Sequence, residues 1–228
     1  MTDRVAEREE RLRAFNRALT HEFRNRIGAS LGAGLILEMP EIAQAKRSEL
    51  AALIVRNIRG MQGILDNLLE LTLVGADARQ HRHVRLASAA AEVGRELREM
   101  AAAQGIMLSL ADDLPDVEVA AAAVELCLTN LVSNAIKYSD PAVPVRWIEV
   151  RGRIETLRDG DTEVVIEVAD NGLGVPEAER GRLFERFFRA SHGEQEIEGT
   201  GLGLSIVRET VKSLGGRVWA HFPEKGSI

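Results

Sequence analysis

Residues 126–139 read LCLTNLVSNAIKYS, and this stretch decides what kind of domain the second half of the chain builds. Asn130 and Asn134 are four apart and Lys137 is three further, so all three project from one face of a helix predicted over 121–138. Amide oxygens suit a hard Mg²⁺ ion, and an ammonium beside them suits phosphate oxygens. Taken alone, such residues on a helix are ordinary solvated surface. Working outward, 145–154 and 164–169 are the clearest strands, separated by the hairpin-like Arg158-Asp159-Gly160-Asp161. Residues 84–86, 106–110 and 117–119 read as shorter extended segments, and 87–103 as an Ala/Glu/Arg-rich helix closed by Gly105. A helix over 204–214, stopped by Gly215-Gly216, leads into a predicted strand over 217–222. That mixture predicts an α+β sandwich with helices on one face of a sheet.

The first 75 or so residues read differently. Leu12, Phe15, Leu19, Phe23, Ile27, Leu31 and Leu35 recur at helical steps before Pro40. Leu50, Ile54, Ile58, Met61, Leu65, Leu68 and Thr72 do so after it, with Leu53, Ile64 and Leu71 widening the stripe. Pro40 and residues 41–48 form the natural connection of an all-α helical hairpin. A lone two-helix hairpin buries too little apolar area to stand by itself. Pairing with a second copy into a four-helix bundle remedies this, so a homodimer is expected. Residues 76–83 are polar and read as a linker, giving domains at 1–78 and 79–228.

Composition narrows the classes. The 228 residues carry 29 basic and 35 acidic side chains, a net charge of −6 without a dense basic stripe, which argues against a nucleic-acid surface. With one cysteine, Cys127, an internal disulfide is impossible, and its apolar surroundings suit a buried, inert thiol. No uninterrupted apolar stretch approaches the roughly 18 residues of a membrane span, and the charged N-terminus is unlike a signal peptide. The expected location is the cytoplasm, with room for a sensor region in a longer protein.

Three further segments complete the pattern. DNGLG, residues 170–174, follows the strand VVIEVA and by itself resembles a simple turn. RLFERFFR, residues 182–189, places three phenylalanines within five residues of a chain that is 4% aromatic; core packing is the plain reading. GTGLGL, residues 199–204, is a glycine-rich approach to a helix, suited to backbone N–H groups meeting phosphate. It lacks the lysine of a P-loop. In this order and spacing, the four segments resemble the N, G1, F and G2 boxes of the histidine-kinase ATP-binding domain, a branch of the GHKL ATPases. The resemblance covers about residues 82–228. Residues 21–27, HEFRNRI, resemble the H-box of the dimerisation and phosphoacceptor domain of sensor histidine kinases. His21 lies two residues from both Leu19 and Phe23, so it points away from that apolar stripe.

The resemblance implies an autokinase: His21 receives the γ-phosphoryl group of Mg-ATP and passes it to an aspartate of a response regulator, with dephosphorylation of that regulator as a companion activity. Glu22 matches the acidic residue that polarises the imidazole, and Asn25 the amide that orients water for dephosphorylation. Arg17, His21 and Asn25 form a column at four-residue steps, and Arg17 and Arg24 are expected to attract phosphate or an acidic partner. Asp170 corresponds to the acceptor for the adenine amino group, with Gly172 and Gly174 allowing close approach. Asn134 is the leading Mg²⁺ ligand and Asn130 its support; Lys137 and Arg189 neutralise phosphate, and Tyr138 lies close to the nucleotide. Gly199, Thr200, Gly201, Leu202 and Gly203 belong to the loop over the phosphates, reached through a polar lid at 191–198 in which His192 reads as surface. Asn25-Arg26 stands where the family often has Thr-Pro, which removes an expected helix kink. The chain stops at Gly226-Ser227-Ile228, where the family runs on into a final strand, so that strand is expected to be lacking. Two alternatives are a phosphatase-dominant protein and a non-catalytic dimeric phosphotransfer scaffold whose nucleotide domain only binds ATP.

Overall fold

The computed structural model describes residues 2–73, 82–157, 160–191, 197 and 199–222. The chain divides into two compact units, Met1–Asp66 and Asn67–Ile228. The first holds α1 (Thr2–Leu37) and most of α2 (Gln44–Leu73). Helix α2 begins inside the stretch expected as connection, because 44–49 are good helix formers and Lys46 pairs with Glu49 one turn on (3.0 Å). Helix α1 runs unbroken through Arg26, as the missing proline allows. The Arg26 guanidinium lies on the backbone notch of Gly60 in α2.

The seam between these helices departs from the expected stripe. Leu19, Ala33, Leu50 and Ile64 are buried, whereas Ile27, Leu31 and Leu35 are 52%, 62% and 58% exposed. The reason is geometric: each four-residue step advances about 40° beyond a full turn, so Leu35 lies about 160° around the helix from Leu19. Near the middle, Ser30 Oγ and Asn57 Nδ2 are buried without a hydrogen-bond partner among the described residues. Such polar groups weaken a two-helix seam.

The second unit contains β1 (His83–Arg85), α3 (Leu86–Ala103), β2 (Ile106–Leu110), β3 (Glu118–Ala120), α4 (Ala121–Lys137), β4 (Arg146–Thr156), β5 (Thr162–Asp170), a 3₁₀ turn (Glu177–Arg182) and α5 (Gly203–Ser213). Strands β1 and β3 make a small antiparallel pair. The main sheet has the order β2-β4-β5, parallel for β2–β4 and antiparallel for β4–β5. Helix α3 ends where Gly105 adopts φ +69°, turning the chain straight into β2. One face of the sheet carries the core: Ile106, Ile148 and Val150 pack against Ala90, Val93 and Leu97 of α3 and Leu128, Val132 and Ile136 of α4. The other face presents Glu149, Arg151, Arg153 and Glu167, cross-linked by ion pairs such as Arg153–Glu167 at 3.2 Å. The α+β layering expected from the sequence is thus present.

Residues 217–222 are a correction, since they form no strand. A strand needs a backbone ladder. This segment is held through side chains instead: Arg217 pairs with Glu163 of β5 (2.9 Å) and covers the Trp219 ring, and Arg180 covers Phe222. The expected turn at 158–159, the linker at 76–81, His192 with the lid at 192–196 and 198, and the chain end at 226–228 lie outside the described residues. Among the described residues, no helix is long and apolar enough to cross a membrane.

Candidate functional site

In the second unit, α4, β5, α5 and residues 214–222 line a broad, partly open cavity of about 1210 Å³. Asn130, Asn134, Lys137, Tyr138, Asp170, Gly174, Arg189, Gly199, Thr200, Gly201 and Gly203 all line it. These belong to all four segments singled out in the sequence. Two expected residues stand behind the wall: Gly172, packed against the Tyr138 carbonyl, and Leu202, which is buried.

Helix α4 supplies the polar edge because its other face is committed to the core. Asn130 Nδ2 donates to the Leu126 carbonyl at 2.9 Å, which turns Oδ1 toward Gly203. A Cβ on residue 203 would sit 2.8 Å from that oxygen, and a Cβ on residue 199 would displace Lys137 Nζ, so the loop approaches the polar side-chain ends of α4 closely. Lys137 Nζ also lies 5.1 Å from the Tyr138 ring centre. Burial raises the Tyr138 phenol pKa, and the positive charge of Arg189, which also lines the cavity, partly offsets this. Arg189 donates to the Ile197 carbonyl. Cys127 also lines the cavity, but burial pushes its thiol up to about 12, leaving it protonated and inert.

Asp170 closes β5. Burial raises its carboxyl pKa above the ordinary value, while the Gly172 N–H, donating to Oδ1 at 2.8 Å, pulls the other way. Leu173 N–H donates to the Tyr138 carbonyl at 2.9 Å, tying the loop to the C-terminus of α4. A Cβ at residue 172 would collide with that carbonyl, so only glycine fits. Two features escaped the sequence reading. The Asn171 side chain reaches back to β4, accepting from Trp147 N–H (2.9 Å) and donating to the Val145 carbonyl (2.8 Å). The phenylalanine segment does more than fill core: Phe187, at φ +61°, donates its N–H to the Gly201 carbonyl at 2.8 Å. Gly201 itself sits at φ +68°, and a Cβ there would lie 2.7 Å from the Phe187 carbonyl carbon.

No group of three or more His, Cys, Asp or Glu residues among those described could hold a metal. Mg²⁺ does not require one, since it is commonly held by one or two protein oxygens together with substrate phosphates. The oriented Asn130 oxygen, with Asn134 one turn on, fits that role.

In the first unit, His21 is exposed on α1, and the Asn25 side-chain amide lies 3.1 Å from its Nδ1. Arg17 and Arg24 are exposed on the same helix. Glu22 follows His21 directly in α1.

A cavity with a polar helix edge on one side and a glycine-rich loop on another suits a nucleotide, and residues 120–228 match the family described as histidine kinase-, DNA gyrase B-, and HSP90-like ATPase. The similarity runs on through the helices to proteins named as sensory and sensor histidine kinases. The chain is 31% identical to the adaptive-response sensory kinase SasA of Prochlorococcus marinus, over 92% of this chain and 54% of that protein. It is also 31% identical to the sensor histidine kinase AruS of Pseudomonas aeruginosa, over 90% of this chain and 20% of that one. Among solved structures, full-length ShkA in complex with AMPPNP superposes with a TM-score of 0.55 at 25% identity, over 92% of this chain and 43% of ShkA. The catalytic domain of the histidine kinase ThkA gives 0.52 at 27% identity, over 64% of this chain and 90% of that domain. The chain therefore spans about half the length of SasA and a fifth of AruS.

Proposed function

We propose that the protein is a dimeric, Mg-ATP-dependent histidine autokinase that phosphorylates His21 and hands the phosphoryl group to an aspartate of a response regulator. The observation that carries this reading is the convergence of Asn130, Asn134, Lys137, Asp170, Arg189 and the 199–203 loop on one cavity. In this reading Asp170 accepts from the adenine amino group, and Gly172 and Gly174 let the loop approach the base. Lys137 and Arg189 neutralise phosphate charge; Gly199, Thr200, Gly201, Leu202 and Gly203 form the loop beside it. Asn134, supported by Asn130, would hold a Mg²⁺ ion, whose charge would shield the phosphate oxygens. Phosphoryl transfer is mostly positioning and charge stabilisation, so this donor set suffices without a strong base in the cavity.

At the acceptor, the Asn25 contact bears on which nitrogen of His21 is nucleophilic. As placed, the Asn25 Nδ2–H donates to His21 Nδ1 at 3.1 Å, which keeps the ring proton on Nε2, so attack through Nε2 requires that proton to leave it. Glu22 can take over that proton as positive charge develops on the ring. The same Asn25 amide would orient water against the regulator's aspartyl phosphate, which makes the phosphatase reaction a companion activity. Arg17 and Arg24 add positive charge around the phosphoryl group or the docked partner. The helical hairpin and the ATP-binding unit act as separate domains near residues 1–78 and 79–228, in the cytoplasm. Incubation with γ-labelled ATP and Mg²⁺ tests the reading: label on the wild type and none on Asp170→Asn or His21→Ala is the expected result.

A further inference from the structure

We infer that Asn171 is a positioning residue for base recognition: its side chain replaces two backbone hydrogen bonds of the sheet and so frees the main chain to carry Asp170 toward α4. This rests on the reading of Asp170 as the adenine acceptor. The β4–β5 register ends at Ile148↔Asp170. Continued by one more residue, it would set residue 171 opposite Trp147 and spend the loop's backbone on the β4 edge. Instead the Asn171 amide occupies that edge, accepting from Trp147 N–H at 2.9 Å and donating to Val145 O at 2.8 Å. The backbone donors that follow are thereby released. Gly172 N–H turns to Asp170 Oδ1 (2.8 Å) and Leu173 N–H to Tyr138 O (2.9 Å).

A plain Asx turn is a different arrangement, because there the amide bonds to its own backbone two residues on. Here Asp170 makes that local bond, and Asn171 bonds to residues 24 and 26 positions away in sequence. The division of labour fixes one carboxylate oxygen of Asp170 and leaves the other as an acceptor. It also ties that acceptor, through Leu173 and Tyr138, to the helix bearing Asn130, Asn134 and Lys137. Without the Asn171 clasp, the β4 edge would compete for the loop backbone, and the carboxylate would lose its fixed direction.

Binding of ATP and of purine riboside triphosphate, which lacks the 6-amino group, tests this in the full chain with Mg²⁺. Wild type should favour ATP by about tenfold or more, the worth of a hydrogen bond to a charged group. Asp170→Asn should abolish most of that preference. Asn171→Ala should reduce it to about twofold or less, with the preference for ADP over AMP, which reports on the phosphate end, unchanged. An Asn171 that served stability alone would weaken all nucleotides together and keep the ratio. Retention of the wild-type ratio in Asn171→Ala, with Asp170→Asn losing it, overturns the inference and spares the Asp170 reading. Equal binding of both triphosphates by wild type overturns both. Should the alanine variant not fold, Asn171→Asp keeps the acceptor for Trp147 N–H but not the donor to Val145. An intermediate ratio then supports the inference and a wild-type ratio overturns it.

Discussion

Asp170 is a carboxylate kept where burial disfavours its charge, and that cost has a sign that can be measured. Its raised pKa means that, from the ordinary carboxylate value up to the folded value, the native state binds more protons than the unfolded state. Stability from this group is therefore present at low pH and lost as pH rises through the window. Asp170→Asn keeps an oxygen for the Gly172 N–H and removes the charge. Its melting temperature without nucleotide should equal or exceed wild type at pH 7, with the gain shrinking toward pH 4, while ATP binding is lost. A lower melting temperature at pH 7 would show that the carboxylate stabilises the fold. Much at this scale was legible. The two-residue offset from Leu19 and Phe23 exposes His21, and the four-residue step brings Asn25 to its ring. The Asn171 clasp was not, because its partners are distant in sequence and appear only once β4 and β5 pair.

At the scale of elements, α1 holds Gly28, Gly32 and Gly34, and a Cβ added at any of them meets nothing within 4 Å. Packing within the single chain thus gives no reason for them, and each costs helix stability relative to alanine. Gly32→Ala should stabilise the hairpin by about 0.5–1 kcal/mol, read by thermal or urea unfolding. Gly201→Ala should do the reverse in the second unit. It forces a left-handed backbone and a clash with Phe187, at a cost of about 1–2 kcal/mol or more, with weakened ATP binding in the same titration. Periodicity located nearly every helix and strand, yet it misread the hairpin seam. Steps of four look like one stripe on paper but walk around the helix. It also assigned a strand to 217–222 from its composition, where no ladder partner holds that backbone.

For the molecule as a whole, the apolar surface that this walk leaves on the hairpin is the physical argument for a second copy. Ile27, Leu31 and Leu35 on α1, with Ile58 and Leu65 on α2, are all about half exposed or more in the single chain. Covering them would contribute the burial that two helices alone lack. Pairing through this face predicts that wild type sediments as a dimer and Leu31→Glu with Leu35→Glu as a monomer, without loss of ATP binding by the second unit. A variant that remained dimeric would move the interface elsewhere. The central claim is chemical, however, and one comparison decides it. The protein is incubated with γ-labelled ATP and Mg²⁺, alongside His21→Ala, and the product is exposed to acid and to alkali. Label that survives alkali, is lost in acid and is absent from His21→Ala is the predicted result. Label that persists in His21→Ala would contradict the account.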